Sequence, residues 1–122
     1  MFRKVLFIED EPDQVAVVQA RLKKNGYEVI TALDGEEGLI KARQEKPDLI
    51  LLDVIMPKMD GREVCRRLKS NPATQASPVI AITAAGNSGI EHECIAAGAS
   101  ECVRKPYESA ELLARMEEIL KG

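Results

Sequence analysis

Five polar side chains that are capable of chemistry each lie at or just beyond the end of an apolar segment. Glu9 and Asp10 follow VLFI, Asp53 ends LILLD, Thr83 ends VIAIT, and Lys105 follows a short segment around residue 103. If these side chains converge, the three carboxylates repel one another unless a cation joins them. With oxygen ligands and no His or Cys beside them, Mg²⁺, or Mn²⁺ in its place, is favoured over zinc or copper.

The same side chains could carry out phosphoryl transfer. Mg²⁺ usually takes one or two carboxylates and completes its shell with water and phosphate oxygens, which leaves one carboxylate free. An aspartate can act as a nucleophile toward phosphorus and form an aspartyl phosphate. The oxygens of the transferring group then need positive charge and hydrogen-bond donors, which Lys105 and Thr83 could provide.

Each of these residues, taken alone, also has a purely structural interpretation. Glu9 and Asp10 could favour the N-terminus of the helix that follows them, and Asp53 could form a turn. Thr83 could be a capping hydroxyl, and Lys105 could be a solvated charge. Their occurrence at the ends of four predicted strands favours a shared site over four independent structural roles.

Apolar segments and helical patterns alternate five times along the chain. The predicted strands are Val5–Ile8, Tyr27–Ala32, Leu49–Asp53, Val79–Thr83 and Ser100–Arg104. A strand–helix alternation predicts a doubly wound α/β fold, an open parallel sheet with helices on both faces. The strand order cannot be read from this pattern, but such sheets bind ligands beyond the carboxyl ends of their strands.

Length and composition exclude several classes of protein. The 122 residues predict one domain, residues 1–122, and 45% hydrophobic residues suffice for a normal core. The net charge of −3 is too small to indicate nucleic-acid or membrane binding. No apolar segment is long enough for a secretory signal or a membrane span, so we expect a soluble, cytoplasmic protein.

Five motifs together resemble the receiver domain of bacterial two-component response regulators, the CheY-like family. They are IEDEP, LILLDVIMPKMDG, VIAITA, GAS and VRKPY, and they match in order and spacing over the whole chain. The resemblance implies a flavodoxin-like (βα)5 fold, whose five parallel strands have the order 2-1-3-4-5. That order sets the first and third strands side by side, so that Glu9, Asp10 and Asp53 meet.

The resemblance also implies a role for each site residue. Asp53 matches the phosphoacceptor, and Asp10 and Glu9 match the acidic pair that holds Mg²⁺, with Asp10 as the direct ligand. Glu9 stands where Asp is commoner, and the additional methylene favours contact through water. The backbone carbonyl of Ile55 matches a further metal ligand. The side chains expected to contact the phosphoryl group are those of Thr83 and Lys105.

Family resemblance extends to partners and activity. It implies that a sensor histidine kinase or a phosphotransfer protein supplies the phosphoryl group. The output is expected through the face made by the fourth helix, the fifth strand and the last helix, which would contact a downstream protein. The chain itself is expected to bind neither nucleic acid nor membrane, and to catalyse only its own phosphorylation and dephosphorylation. A single-domain regulator and the receiver part of a longer regulator both remain open.

The sequence departs from the family pattern at one switch position. The family often has an aromatic residue three positions before the lysine, and here that residue is Cys102. The aromatic side chain that changes orientation on phosphorylation in such family members is therefore absent from this chain. With Cys65 and Cys94, Cys102 is expected to be a reduced thiol that behaves as a small hydrophobe. His92 is expected at the surface, and the Lys105–Pro106 peptide bond is expected to be cis, as in the family.

Two other functional classes are disfavoured. A flavin-binding electron carrier of this topology needs a phosphate loop rich in hydroxyls and glycine after the first strand. This chain has EDEPDQ there, which repels phosphate unless a metal intervenes. A hydrolase with an aspartyl-phosphate intermediate normally has a second acid two residues after its nucleophile, where this chain has Ile55.

Overall fold

Strands and helices alternate along the chain in a computed structural model that describes residues 3–54, 59–84 and 88–121. The strands are β1 (Lys4–Ile8), β2 (Glu28–Ala32), β3 (Leu49–Asp53), β4 (Val79–Ala84) and β5 (Glu101–Lys105). The helices are α1 (Pro12–Lys24), α2 (Gly35–Glu45), α3 (Gly61–Ser70), α4 (Ser88–Ala96) and α5 (Ser109–Lys121). This alternation confirms the predicted α/β class. None of these helices is long and apolar enough to cross a membrane.

The strands form one parallel sheet in the order β2-β1-β3-β4-β5, as the resemblance implied. β1 pairs with β3 from Val5↔Leu49 to Ile8↔Leu52. Because neighbouring parallel strands end at the same edge of a sheet, the residue after Ile8 and the last residue of β3 lie close together. The topology therefore brings the acidic residues of two distant sequence segments to one edge.

Two strands begin one residue later than the sequence predicts. β2 begins at Glu28 because the N–H of Tyr27 donates to the carbonyl of Leu22 and so belongs to the turn that ends α1. β5 extends to Lys105, which pairs with Ala84 at the end of β4. Lys105 is thus held by the sheet itself, which fixes where its side chain starts.

Three helices begin at residues that are typical of helix N-termini. Pro12 occupies the first turn of α1, where a missing N–H costs nothing. Asp34 caps α2 by accepting a hydrogen bond from the N–H of Glu37, and Asp60 caps α3 by accepting from the N–H of Arg62, both at 2.8 Å. These caps satisfy donors that the first helical turn would otherwise leave unpaired.

The core has two parts, one on each face of the sheet, because successive side chains of a strand point to opposite faces. On one face, Leu6 and Leu52 pack with side chains of α2, α3 and α4. On the other face, Phe7 and Leu51 pack with side chains of α1 and α5. Every residue of β3 is buried, as predicted for a strand that is apolar on both faces.

Gly61 holds the start of α3 against the end of β3. Its N–H donates to the carbonyl of Val54 at 2.8 Å, one residue beyond Asp53. A Cβ at residue 61 would lie 2.5 Å from the Cα of Val54, which is too close for any other residue type. The start of α3 is therefore held directly beside the residue that follows Asp53.

Candidate functional site

Three carboxylates converge at the carboxyl ends of β1 and β3, as predicted. Glu9 and Asp10 follow β1, and Asp53 is the last residue of β3. One carboxylate oxygen of each residue lies within 4.8 Å of the other two. The N–H of Glu9 donates to the carbonyl of Ala32 at 3.0 Å, so the backbone of Glu9 continues the β1–β2 pairing. The position of Glu9 is thereby as fixed as that of a strand residue.

Glu9 is the most enclosed of the three acids, with no exposed surface. One carboxylate oxygen, Oε2, accepts from the N–H of Glu11 at 3.3 Å, and Oε1 lies 3.4 Å from Nζ of Lys105. Burial, together with a hydrogen bond to Asp53 and the negative charge of Asp53, raises the pKa of Glu9 from 4.5 to about 7. The nearby Lys105 opposes this rise only in part.

Lys105 is the cation shared by two of the acids. Its Nζ lies 3.7 Å from Oδ2 of Asp53 and 3.4 Å from Oε1 of Glu9. The peptide bond from Lys105 to Pro106 is cis, as the resemblance implied. Sheet pairing places Lys105 opposite Ala84, so the long side chain reaches the acidic residues across the end of β4.

Thr83 brings a buried hydroxyl to the same end of the sheet. Asp53 pairs with Ile82 of β4, and Thr83 is the next residue along that strand. Thr83 is 1% exposed, and its Oγ1 has no hydrogen-bond partner within the described ranges. A buried hydroxyl without a partner is unfavourable by about 1–3 kcal/mol. An oxygen atom brought to this end of the sheet would satisfy the hydroxyl.

The donor set fits a hard divalent cation. Glu9, Asp10 and Asp53 provide only oxygen ligands, and Asp10 is half-buried while the other two are buried. Lys105 supplies one positive charge against three carboxylates, and the pKa of Glu9 is raised by burial first and then by the neighbouring Asp53. An ion of the Mg²⁺ class would compensate the excess of negative charge. The carbonyl of Ile55, the further ligand that the resemblance implied, lies outside the described residues.

Tyr107 is a neighbour of the site that sequence reasoning missed. It packs with the core cluster to which α5 contributes Leu112 and Met116. Burial raises the pKa of Tyr107, and the charges of Glu9 and Asp53 raise it further, so the phenol also lies near the acids. Its position two residues after Lys105, just beyond Pro106, was the available signal.

Two further predictions concern residues away from the carboxylates. His92 is exposed on α4, as expected for a surface residue. Cys102 is half-buried on β5, and its Sγ donates to the carbonyl of Glu91 at 3.7 Å. The position that is often aromatic in the family is therefore occupied by a thiol in contact with α4.

Comparison with known proteins gives one consistent result. The sequence pattern of the response regulator receiver domain family matches residues 5–117 of this chain. The alkaline phosphatase synthesis transcriptional regulatory protein PhoP of Bacillus subtilis is 41% identical over 121 residues, which are 99% of this chain and 50% of PhoP. The response regulator PleD of Caulobacter vibrioides is 40% identical over 121 residues, again 99% of this chain but 27% of PleD.

A similar solved structure is the receiver domain of a sensor histidine kinase from Pseudomonas aeruginosa PAO1. It has a TM-score of 0.92 and 29% identity, and the match covers 100% of both chains. That structure has a magnesium ion coordinated in its active-site cleft. The present chain spans half or less of the length of PhoP and PleD.

Proposed function

The chain belongs to the response regulator receiver domain family, and on that premise we propose that Asp53 accepts a phosphoryl group from a phosphohistidine. The donor is a sensor histidine kinase or a phosphotransfer protein. The observation that carries the proposal is the convergence of Asp53 with Glu9 and Asp10, with Nζ of Lys105 at 3.7 Å from Asp53. A carboxylate held among charge partners at a strand end can act as a nucleophile.

The chemistry divides among the chain's own residues. An oxygen of Asp53 forms a bond to phosphorus while the bond from phosphorus to the donor imidazole breaks. Lys105 supplies positive charge to the phosphoryl oxygens, and the hydroxyl of Thr83 donates a hydrogen bond to one of them. Asp10, Asp53 and Glu9 would hold Mg²⁺ or Mn²⁺, which supplies further positive charge to those oxygens when bound.

A small phosphodonor tests the proposal without a cognate kinase. We expect wild type incubated with phosphoramidate and Mg²⁺ to gain the mass of one phosphoryl group, and to gain nothing when EDTA is present. The adduct should be labile at alkaline pH, as acyl phosphates are. An adduct that is stable to base, or one that forms equally in EDTA, would contradict an aspartyl phosphate that depends on the acidic site.

Asp10→Ala is expected to weaken Mg²⁺ binding by at least about tenfold, because even indirect contributors to metal sites cost that much when lost. Titration with Mg²⁺ followed by tyrosine fluorescence would measure it, since the chain has no Trp and Tyr107 lies near the acids. Asp13→Ala is the matched control, because Asp13 is an exposed acid in the first turn of α1. Equal affinities for Asp10→Ala and wild type would move the metal role to other residues.

The output surface that we propose is the face made by α4, β5 and α5. Of the residues of α4 with described burial, only Cys94 is buried, while Ile90 is half-buried and Ile95 is exposed. A helix with so little buried apolar surface can be moved at small cost. Phosphorylation is expected to bias two positions of α4 by about 1–3 kcal/mol, the usual size of a coupling between sites.

Amide hydrogen exchange before and after phosphorylation measures that coupling. We expect exchange rates to change in α4 and β5 of wild type, and to stay constant in Asp53→Asn treated in the same way. Changes limited to the residues around Asp53 would argue against transmission to the proposed surface.

The remaining functional assignments follow from charge and family. The net charge of −3 supports action through protein contacts rather than direct binding of nucleic acid or membrane. We propose that residues 1–122 act as one domain in the cytoplasm and catalyse no reaction beyond their own phosphorylation and dephosphorylation. The proposal holds equally for a single-domain regulator and for the receiver part of a longer one.

A further inference from the structure

The three cysteines of the chain, distant in sequence, lie in one part of the core. Cys65 of α3 and Cys94 of α4 are buried in the same core cluster, and half-buried Cys102 of β5 packs against it. Sγ of Cys102 donates to the carbonyl of Glu91 at 3.7 Å, and Cys94 lies about one helical turn after Glu91 in α4. Cys102 therefore lies against the turn that carries Cys94, and each of these two thiols affects the pKa of the other. Cys65 is coupled to the other two by charge: Cys102 raises the pKa of Cys65, and Cys65 raises the pKa of Cys94. The close pair is therefore Cys94 and Cys102.

Cys102 can be reached from solvent, whereas Cys94 lies behind it. Cys102 lines a surface cleft of about 630 Å³ between α4, β5 and α5, together with His92, Ile95 and Arg115. Cys94 is 1% exposed. A small reagent that enters the cleft therefore meets the sulfur of Cys102 first, and Cys94, on the turn of α4 that Cys102 contacts, is the partner thiol.

We propose that Cys94 and Cys102 form a reversible disulfide that fixes α4 to β5. The oxidant is a peroxide: the thiolate of Cys102 attacks a peroxide oxygen, which gives a sulfenic acid and, from hydrogen peroxide, water. The sulfur of Cys94 then displaces the sulfenic oxygen, which leaves as a second water. Overall, two thiols and one hydrogen peroxide give one disulfide and two waters, and a dithiol reductant returns both thiols.

The surroundings make this oxidation slow. Burial and the carboxylate of Glu91 raise the pKa of Cys102, and burial with the neighbouring sulfurs raises the pKa of Cys94 to about 12. Little thiolate forms at neutral pH, so brief exposure to peroxide leaves the pair reduced. Proximity favours the second step, because the sulfenic acid forms beside the Cys94 thiol.

A disulfide between Cys94 and Cys102 would act on the proposed output surface, the face made by α4, β5 and α5. α4 contacts β5 through the hydrogen bond from Cys102 to the Glu91 carbonyl and through the ion pair of Arg104 with Glu91. A covalent bond from Cys94 to Cys102 would hold α4 in this position whatever the state of Asp53. The pairing rests on the thiol geometry and not on the proposed phosphorylation, so the two ideas can fail separately.

The test is prolonged oxidation of the unphosphorylated protein with hydrogen peroxide at mildly alkaline pH, followed by intact mass and a non-reducing peptide map. We expect wild type to lose the mass of two hydrogen atoms and to show a peptide that links residues 94 and 102. Cys65→Ser, the matched control, should behave in the same way. Cys94→Ala and Cys102→Ala should not form the link.

Amide hydrogen exchange measures whether the same oxidation restricts the motion of α4. We expect exchange in α4 to slow at least about tenfold on oxidation and to recover when a dithiol reductant is added. A link that involves Cys65, oxygen addition without a link, or a link between two chains would overturn the pairing. An intact link with unchanged exchange in α4 would overturn the claim that it fixes the helix. The peptide map of wild type decides the pairing even if an alanine variant fails to fold.

Discussion

The double variant Ile55→Asn, Ala85→Gln is expected to lose its phosphoryl group at least about tenfold faster than wild type, because polar groups that position water assist hydrolysis. Hydrolysis of an acyl phosphate requires a water in line with phosphorus and opposite Asp53. In the family resemblance, the side chains beside that water stand two residues after Asp53 and two after Thr83. In this chain they are Ile55 and Ala85, neither of which can hydrogen-bond to water.

Both positions lie outside the described residues, so the expectation comes from the sequence. Full general acid–base catalysis contributes about 10²–10⁴-fold, and orientation of water alone should contribute less. The loss of phosphoprotein after removal of donor, followed by intact mass, gives the lifetime. Ile55→Leu with Ala85→Val is the matched control and should keep the slow wild-type rate. If the polar double variant decays no faster than this control, these positions do not act on the water.

Metal-free Glu9→Gln is expected to be more stable than wild type at about pH 8, by roughly 1–3 kcal/mol, and to lose most of that advantage near pH 5. The cause is the pKa of Glu9, which burial and Asp53 raise from 4.5 to about 7. Between these values the folded state holds more protons than the unfolded state. Wild-type stability therefore falls as pH rises through this window, and the loss is complete above it.

Urea unfolding in EDTA at several pH values measures this difference. Gln at residue 9 carries no charge at any of these pH values and so lacks the cost of a buried carboxylate beside Asp53. Glu11→Gln is the control, because Glu11 is exposed and should leave the pH profile unchanged. Added Mg²⁺ should stabilise wild type more than Glu9→Gln, since a ligand stabilises the state that binds it. Parallel pH profiles for wild type and Glu9→Gln in EDTA would contradict the account of Glu9.

The sequence predicted the elements of the fold well, because they depend on local patterns. LILLD is apolar on both faces and became the fully buried β3, and Pro12 marked the start of α1. Convergence of Glu9 with Asp53 is different, because it depends on which strands are neighbours. Apolar patterns do not determine that order, and only the resemblance to a known family supplied it.

Side-chain contacts between residues that are distant in sequence could not be predicted from the sequence. The contact of Glu9 with Lys105 depends on the length of one side chain and on the exact reach of the other from β5. The proximity of Tyr107 to the acids and the contact of Cys102 with the turn of α4 that carries Cys94 likewise depend on how helices pack over the sheet. Residue type indicated what each group could do, and packing decided what it touches.

The central claim is that the phosphoryl group is carried by Asp53, and its most direct measurement is chemical mapping of the wild-type adduct. Borohydride reduces an acyl phosphate to a primary alcohol, so a phosphorylated aspartate becomes homoserine and can be located by peptide mass spectrometry. We predict homoserine at residue 53 only, after treatment with phosphoramidate and Mg²⁺. Homoserine at residue 10, or an adduct with residue 53 unchanged, would contradict the account.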